Sequence, residues 1–209
     1  MSDTAYLIFD LAVLVFSVMV HEISHGYVAE RLGDPTARLA GRLTLNPLKH
    51  IDPVGSVLLP AVLHFSGAPM IGWAKPVPYN PMNLKDPVGG GAKIAAAGPL
   101  SNFLLAAVFG LLIRALLGVV EAPLLVLFAH ITLVNIWLGI FNLFPIPPLD
   151  GSKVLYALMP KSQASYQIAG LLEQYGFFLL FGLIFFLDLG SLLFPIARVI
   201  FTLFTGQEL

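Results

Sequence analysis

The residues with the clearest chemical potential are His21-Glu22-Ile23-Ser24-His25. On a helix, side chains four positions apart lie on one face, so His21 and His25 can offer imidazole nitrogens to a single metal ion. Glu22 projects about 100° away around the axis, near enough to touch a water on that metal without being a ligand itself. This is the pattern of metal-assisted peptide hydrolysis with the glutamate as general base. Its surroundings are unusual. From Ala5 to Val20 the residues are almost all apolar, with Asp10 the one charge. An ionisable residue inside a bilayer is costly unless paired or metal-bound. Three of them within five positions point to metal binding rather than core filling.

Composition sets the solvent. The chain has 209 residues, 57% hydrophobic and 11% charged, where soluble domains carry roughly 25% charged residues. It reads as an integral membrane protein surrounded by lipid bilayer. A net charge of −1 and the lack of any basic run exclude nucleic-acid binding. There is no cysteine, so disulfides, thiolate metal sites and cysteine nucleophiles are excluded, leaving His, Asp and Glu as the strong ligands. A basic n-region and a small-x-small cleavage site are absent before the motif, so the first apolar segment is expected to stay. The expectation is one membrane-embedded domain over residues 1–209, all-α and polytopic.

The elements that must position the histidines follow from the apolar runs. The first extends from Tyr6 to Leu32 and stops at Gly33-Asp34-Pro35. Val54 to Phe65, interrupted by Pro60, is short for a crossing and fits a re-entrant or tilted segment. Gly67 to Gly91 is punctuated by prolines, and Met70 to Pro78 reads as extended chain or a short hairpin. Further helices are expected over Ala92 to Val120, opening with small residues that permit close helix approach, and over Pro123 to Phe144, which carries Asn135 and Asn142. After a polar stretch from Lys153 to Gln167 come Ile168 to Leu187 and Leu189 to Phe204, separated by a turn at Asp188. That makes about five transmembrane helices, a re-entrant or short segment, and a small extended or hairpin loop.

Depth and side can be argued as well. Leu7 to His21 covers about 21 Å of helix, which buries the histidines in a hydrocarbon core of about 30 Å, away from its midplane. Asp150 follows the proline-rich end of the fourth long segment, in Pro145-Ile146-Pro147-Pro148-Leu149-Asp150-Gly151. Irregular backbone at membrane depth is tolerated where it lines a protein cavity, which suits a third metal ligand; a plain turn aspartate before Gly151 is the other reading. If Val54 to Phe65 does not cross, His25 and Asp150 meet on one side. Arg31, Arg38, Arg42, Lys49, Lys75, Lys85, Lys93, Lys153 and Lys161 then share that side, and Asp3, Glu121 and Asp188 face the other. The positive-inside rule makes the histidine side cytoplasmic. Five crossings put the N-terminus outside and the C-terminus inside.

Three stretches together carry a resemblance: His21 to His25, Gly98-Pro99-Leu100-Ser101-Asn102, and Asn142-Leu143-Phe144-Pro145-Ile146-Pro147-Pro148-Leu149-Asp150-Gly151. The chain resembles the site-2 protease family of intramembrane zinc metalloproteases, in its compact bacterial or archaeal form without a PDZ domain. The last stretch is the most specific, matching N-x-x-P-x-P-x-L-D-G. The resemblance implies one Zn2+ per chain held by His21, His25 and Asp150, with Glu22 as catalytic base. It puts Asn102 and Asn142 beside the site, supporting the scissile carbonyl. It also implies a substrate-pairing segment, for which Gly72, Trp73, Ala74 and Lys75 look like the counterpart. Many members have another membrane helix before the H-E-x-x-H helix, whereas this sequence starts at that helix, so the resemblance does not place a lateral gate.

The expected activity is hydrolysis of peptide bonds in transmembrane segments of membrane-protein substrates, in a prokaryotic cell membrane. Two other classes fit parts of the pattern. A zinc transporter or metal-sensing protein would need a relay of polar ligands across the bilayer, and a non-cleaving binder of transmembrane partners would not need Glu22. His50, His64 and His130 read as residues in local polar contacts, His50 with Asp52. Substrate identity and oligomeric state are not encoded in any of these motifs.

Overall fold

Long apolar runs form helices because the backbone must satisfy its own hydrogen bonds in lipid. In the computed structural model, which describes residues 3–58, 62 and 74–209, α1 spans Asp3–Arg31 and α2 is the short Thr36–Leu39. Helix α3 spans Pro87–Leu116, α4 Ala122–Asn142, α5 Asp150–Leu158, α6 Gln163–Phe186 and α7 Leu189–Thr205. No strand occurs among the described residues. Helices α1, α3, α4 and α6 are long and apolar enough to cross a membrane, and α7 is a shorter apolar helix. The protein is an all-helical polytopic membrane protein.

Helix starts differ from the sequence reading where caps overrule composition. Helix α3 begins at Pro87 rather than Ala92, because the Asp86 side chain accepts the Gly89 N–H at 3.0 Å and proline fits the first turn. The run Gly89-Gly90-Gly91 reads as a loop, yet Gly90 and Gly91 are buried, and a Cβ at Gly90 would lie 3.1 Å from Leu84. Likewise α6 starts at Gln163, where Ser162 accepts the Ser165 N–H at 3.2 Å, and not at Ile168. Helix α5 starts at Asp150 and runs on through Leu158, into the stretch from Lys153 read as a polar connection.

Of the run Val54 to Phe65, residues Pro53–Leu58 make a short π-type helix, with Asp52 accepting the Val54 and Gly55 N–H groups. The remainder apart from residue 62, including His64 and the question of a crossing, lies outside the described residues, as do Gly72 and Trp73. Residues 74–80 have no regular secondary structure. Lys75 donates its N–H to the His50 carbonyl at 2.8 Å, and Arg42 Nη2 donates to the Lys75 carbonyl at 2.6 Å. The His50 ring turns to the Thr44 carbonyl, 2.9 Å away. Asp34, fully buried, ties the loop after α1 to the loop before α3: it accepts from Thr36, from the Asn80 N–H at 2.6 Å and from Asn83 Nδ2 at 2.7 Å. Burial pushes its pKa up, but these hydrogen bonds outweigh burial and hold the carboxyl below its ordinary value.

Helix α3 is the axis of the bundle, packed on α1, α4, α5 and α7. Between α3, α4 and α7 lies the main apolar cluster, with Ala106, Ile136, Ala197 and Phe201 buried. Helix α1 runs antiparallel to α3: His25 meets Ile94 and, farther along α3, Ser17 meets Asn102. The N-terminal end of α1 therefore lies at the level of the C-terminal end of α3. The close of α7 lies there too. Arg114 Nη2 donates to the Leu203 carbonyl at 2.9 Å, a Cβ at Gly206 would sit 3.0 Å from Arg114 Nε, and one at Gly110 would sit 2.6 Å from Phe204 Cβ.

This corrects the expected position of the C-terminus. Arg114 is sixteen positions past Gly98, about 24 Å along α3 at about 1.5 Å per residue. Gly98 packs on His21 and His25. The end of α7 thus faces away from the histidines, on the same side as the start of α1. The sequence reading let α6 and α7 cross in alternation. An apolar helix of 17 residues carries no sign of its direction, and only its contacts with α3 supply one.

Candidate active site

His21 and His25 stand on the face of α1 turned to α3, and their rings meet edge to face with centroids 4.6 Å apart. Helix α3 can come this close because residue 98 is glycine. A Cβ there would lie 2.5 Å from His21 Nε2 and 2.5 Å from His25 Cε1. Pro99 follows within the helix and removes one backbone hydrogen bond in that turn. In the same region the Ile94 carbonyl is 2.6 Å from His25 Nδ1.

Asp150 comes from the far end of the sequence. Pro145, Pro147 and Pro148 prevent α4 from continuing, and the chain turns back through a cis Pro147–Pro148 peptide. Gly151 allows the tight turn, because a Cβ there would run into the Leu143 carbonyl. Asp150 then opens α5 with Oδ2 3.1 Å from His21 Nε2 and 3.1 Å from His25 Nε2. Lys153 Nζ lies 4.0 Å from its other oxygen.

The donor set fits a zinc ion. A backbone carbonyl only accepts, so His25 carries its proton on Nδ1 and presents the Nε2 lone pair to Asp150. His21 Nδ1 in turn faces Asn102 Oδ1 at 2.6 Å. Two imidazole nitrogens and a carboxylate oxygen converge with lone pairs facing one another, an arrangement that a shared cation satisfies. Nitrogen and oxygen donors of this kind suit zinc, and the second ring nitrogens have the outer partners that such ligands use.

Glu22, beside His21, offers a carboxylate oxygen within 4.8 Å of both histidines. Its Oε2 accepts the Val77 N–H at 2.7 Å, so the segment that contains Ala74 and Lys75 reaches the site by its backbone. Asn102 is completely buried. Its carbonyl is on His21, and its amide donates to Asn135 Oδ1 at 2.9 Å and to the Ser17 carbonyl at 3.3 Å. These bonds engage both ends of Asn102 within the protein and set it beside His21. Asn142 is partly exposed and donates to the Leu138 carbonyl of its own helix at 2.9 Å.

The sequence reading passed over Ser17, the Val77 N–H and the part played by Asn135. Ser17 could have been found, since it lies one turn before His21 on the same face. His130 is remote from the cluster and pairs with Asp10 Oδ1 at 3.1 Å.

With the geometry in place, comparison with known proteins is decisive. The "Putative zinc metalloprotease YwhC" of Bacillus subtilis is 38% identical over 185 residues, which covers 85% of this chain and 80% of that protein. The model of Peptidase family M50 matches residues 118–183. The chain belongs to peptidase family M50. Rip2 of Mycolicibacterium smegmatis, described in the same words as YwhC, is 30% identical over 85% of this chain and 66% of its own length. "Zinc metalloprotease MJ0392" of Methanocaldococcus jannaschii is 28% identical over 72% of this chain, which spans 34% of that longer protein. No solved structure matches. As an M50, or site-2 protease, chain, the protein is a zinc metalloprotease of the membrane, and zinc is its cofactor.

Proposed function

We propose that this M50 peptidase hydrolyses peptide bonds in transmembrane segments of other membrane proteins, working as one membrane-embedded domain over residues 1–209. The observation that carries the reading is the meeting of His21, His25 and Asp150 at 3.1 Å, with both histidines on a helix long and apolar enough to cross a membrane. These three residues would hold one zinc ion. When bound, zinc polarises a carbonyl and lowers the pKa of water.

The chain's own groups supply the rest. The Val77 N–H orients the Glu22 carboxylate through one oxygen, leaving the other to take a proton from water and return it to the leaving amine. An open groove of about 500 Å³ lies between α1 and α3, lined by Ser24, Tyr27, Val28, Arg31, Ala97 and Leu100. It adjoins the turns that carry His25 and Gly98, which suits approach of a substrate helix from the lipid side. A helical substrate hides its carbonyls in its own hydrogen bonds, so it must unwind locally before attack. Residues 74–77 support this as the place where unwound chain lies, with Gly72 and Trp73 expected to extend it. Asn142, partly exposed at the end of α4, is the remaining candidate for supporting the scissile carbonyl.

The test compares Glu22→Gln with wild type in the same purified samples. Glutamine cannot accept the proton, so cleavage of a helical substrate should fall by about 10²–10⁴-fold while zinc per protein stays near wild type. Cleavage by Glu22→Gln at the wild-type rate would reject Glu22 as the base. A wild-type protein that holds zinc and cuts no membrane helix would favour transport or partner binding.

For orientation, the basic residues of the histidine side support a cytoplasmic site with the start of α1 outside. Because α7 ends beside Arg114, cysteines placed at Ser2, Glu121 and Gln207 should all react with an impermeant reagent from outside, and one at Lys161 should not. Labelling of Lys161 with protection of Ser2 would reverse the orientation.

A further inference from the structure

Behind His21 lies a buried chain of amides that the proposed mechanism does not use. His21 Nδ1 faces Asn102 Oδ1 at 2.6 Å, Asn102 Nδ2 donates to Asn135 Oδ1 at 2.9 Å, and Asn135 Nδ2 donates to the Ile131 carbonyl and to Ser17 Oγ, each at 2.9 Å. Asn102 and Asn135 are fully buried, and Ser17 is 3% exposed.

The direction of this chain is fixed from its far end. The Ile131 carbonyl can only accept, so Asn135 must turn its NH2 toward it and its oxygen toward Asn102. That oxygen can only accept, so Asn102 must turn its own NH2 to Asn135 and its oxygen to His21. The Ser17 carbonyl, 3.3 Å from Asn102 Nδ2, demands the same orientation. An acceptor at His21 Nδ1 requires the proton there, which leaves the Nε2 lone pair toward Asp150. If Asn102 were reversed, its N–H would face Nδ1, the ring proton would move to Nε2, and that nitrogen could not bind a metal. From this geometry we infer that Asn135, with Ser17, is a positioning residue that locks the His21 tautomer through Asn102 and so sets zinc affinity. The inference rests on the reading of His21 as a zinc ligand.

Zinc affinity, measured by chelator competition in purified protein, tests it in three variants. Asn135→Leu keeps the branching but removes the nearer of the two acceptors, Asn135 Oδ1 and the Ser17 carbonyl, that orient Asn102. Zinc affinity should drop about tenfold, the lower end of the 10–100-fold typical for losing an outer partner of a ligand. Asn102→Asp alone sets an oxygen against Asn135 Oδ1, acceptor against acceptor, and should also bind more weakly. In Asn102→Asp/Asn135→Leu the closer clash, with Asn135, is gone and only the longer 3.3 Å approach to the Ser17 carbonyl remains, while either aspartate oxygen can accept from His21 Nδ1. The double variant should regain affinity, binding several-fold more tightly than Asn102→Asp alone.

A 15N-histidine spectrum of the zinc-loaded protein reads the bond directly. The His21 Nδ1–H resonance, assigned by its loss in His21→Ala, should move upfield in Asn135→Leu and return in the double variant. If Asn135→Leu fails to fold, the comparison of Asn102→Asp with the double variant still decides. The inference is overturned if the double variant binds zinc no more tightly than Asn102→Asp, or if Asn135→Leu folds and leaves both affinity and resonance unchanged. Wild-type zinc content in His21→Ala would instead overturn the assignment of His21 as a ligand.

Discussion

Two regions of this membrane protein are built on different rules. Around the histidines, α1, α3 and α4 bury Ser17, Asn102, Thr132 and Asn135 almost completely, and each has a hydrogen-bond partner. In α6, by contrast, the buried residues are Gly176 and Leu180, and Phe178 and Phe186 are 71% and 82% exposed. Lipid solvates an apolar face as well as protein does, so α6 needs few contacts to be stable in a bilayer. A polar group at membrane depth must find a partner, and each partner restricts the geometry further. Where polar groups are buried, the positions of helices are therefore specified side chain by side chain. Where only apolar groups face outward, the specification is loose.

Substituting alanine for glycine at three places sharpens this contrast. The largest effect belongs to Gly98→Ala, whose Cβ would meet both histidines at 2.5 Å. Overpacking of this kind costs about 1–3 kcal/mol, and here it should also push α3 from α1 and remove both zinc and cleavage. Gly176→Ala comes next. Its Cβ would lie 2.8 Å from the Pro147 carbonyl, on the turn that leads to Asp150, so cleavage should fall several-fold with zinc partly retained. At Gly182 nothing lies within 4 Å of the added Cβ. Gly182→Ala should be neutral or raise stability by up to about 0.5–1 kcal/mol, through lower backbone entropy in the unfolded chain. Thermal unfolding in one detergent, with zinc content and cleavage rate, ranks all three. If Gly182→Ala costs as much as Gly98→Ala, the contrast between the two regions is false.

The same contrast explains what could be read from the sequence. Apolar runs marked the long helices, and H-E-x-x-H within such a run marked the place proposed for the metal. Asp150 was reachable by resemblance, because Pro145, Pro147 and Pro148 end α4 at a fixed distance from it. What could not be read depended on which partner a side chain chooses. Asn102 was expected beside the site and lies there on His21, but that its amide also meets Asn135 and the Ser17 carbonyl is announced by no local pattern. The Val77 N–H reaches Glu22 from 55 positions away as a backbone group without side-chain identity. The direction of α7 was missed for the opposite reason: Leu189–Thr205 packs by apolar groups and offers few polar ones that would declare which neighbour it follows.

Most directly, the account depends on Asp150 closing a zinc site begun by His21 and His25, across a sequence separation of 129 from His21. Asp150→Asn keeps the shape and hydrogen-bonding size of the side chain but removes its charge. Zinc per chain should be measured by atomic emission after dialysis against a weak chelator, with wild type and Asp52→Asn treated alongside. The account predicts about one zinc per chain in wild type and in Asp52→Asn, and a large loss of zinc together with cleavage in Asp150→Asn. Equal zinc in Asp150→Asn and wild type would contradict it.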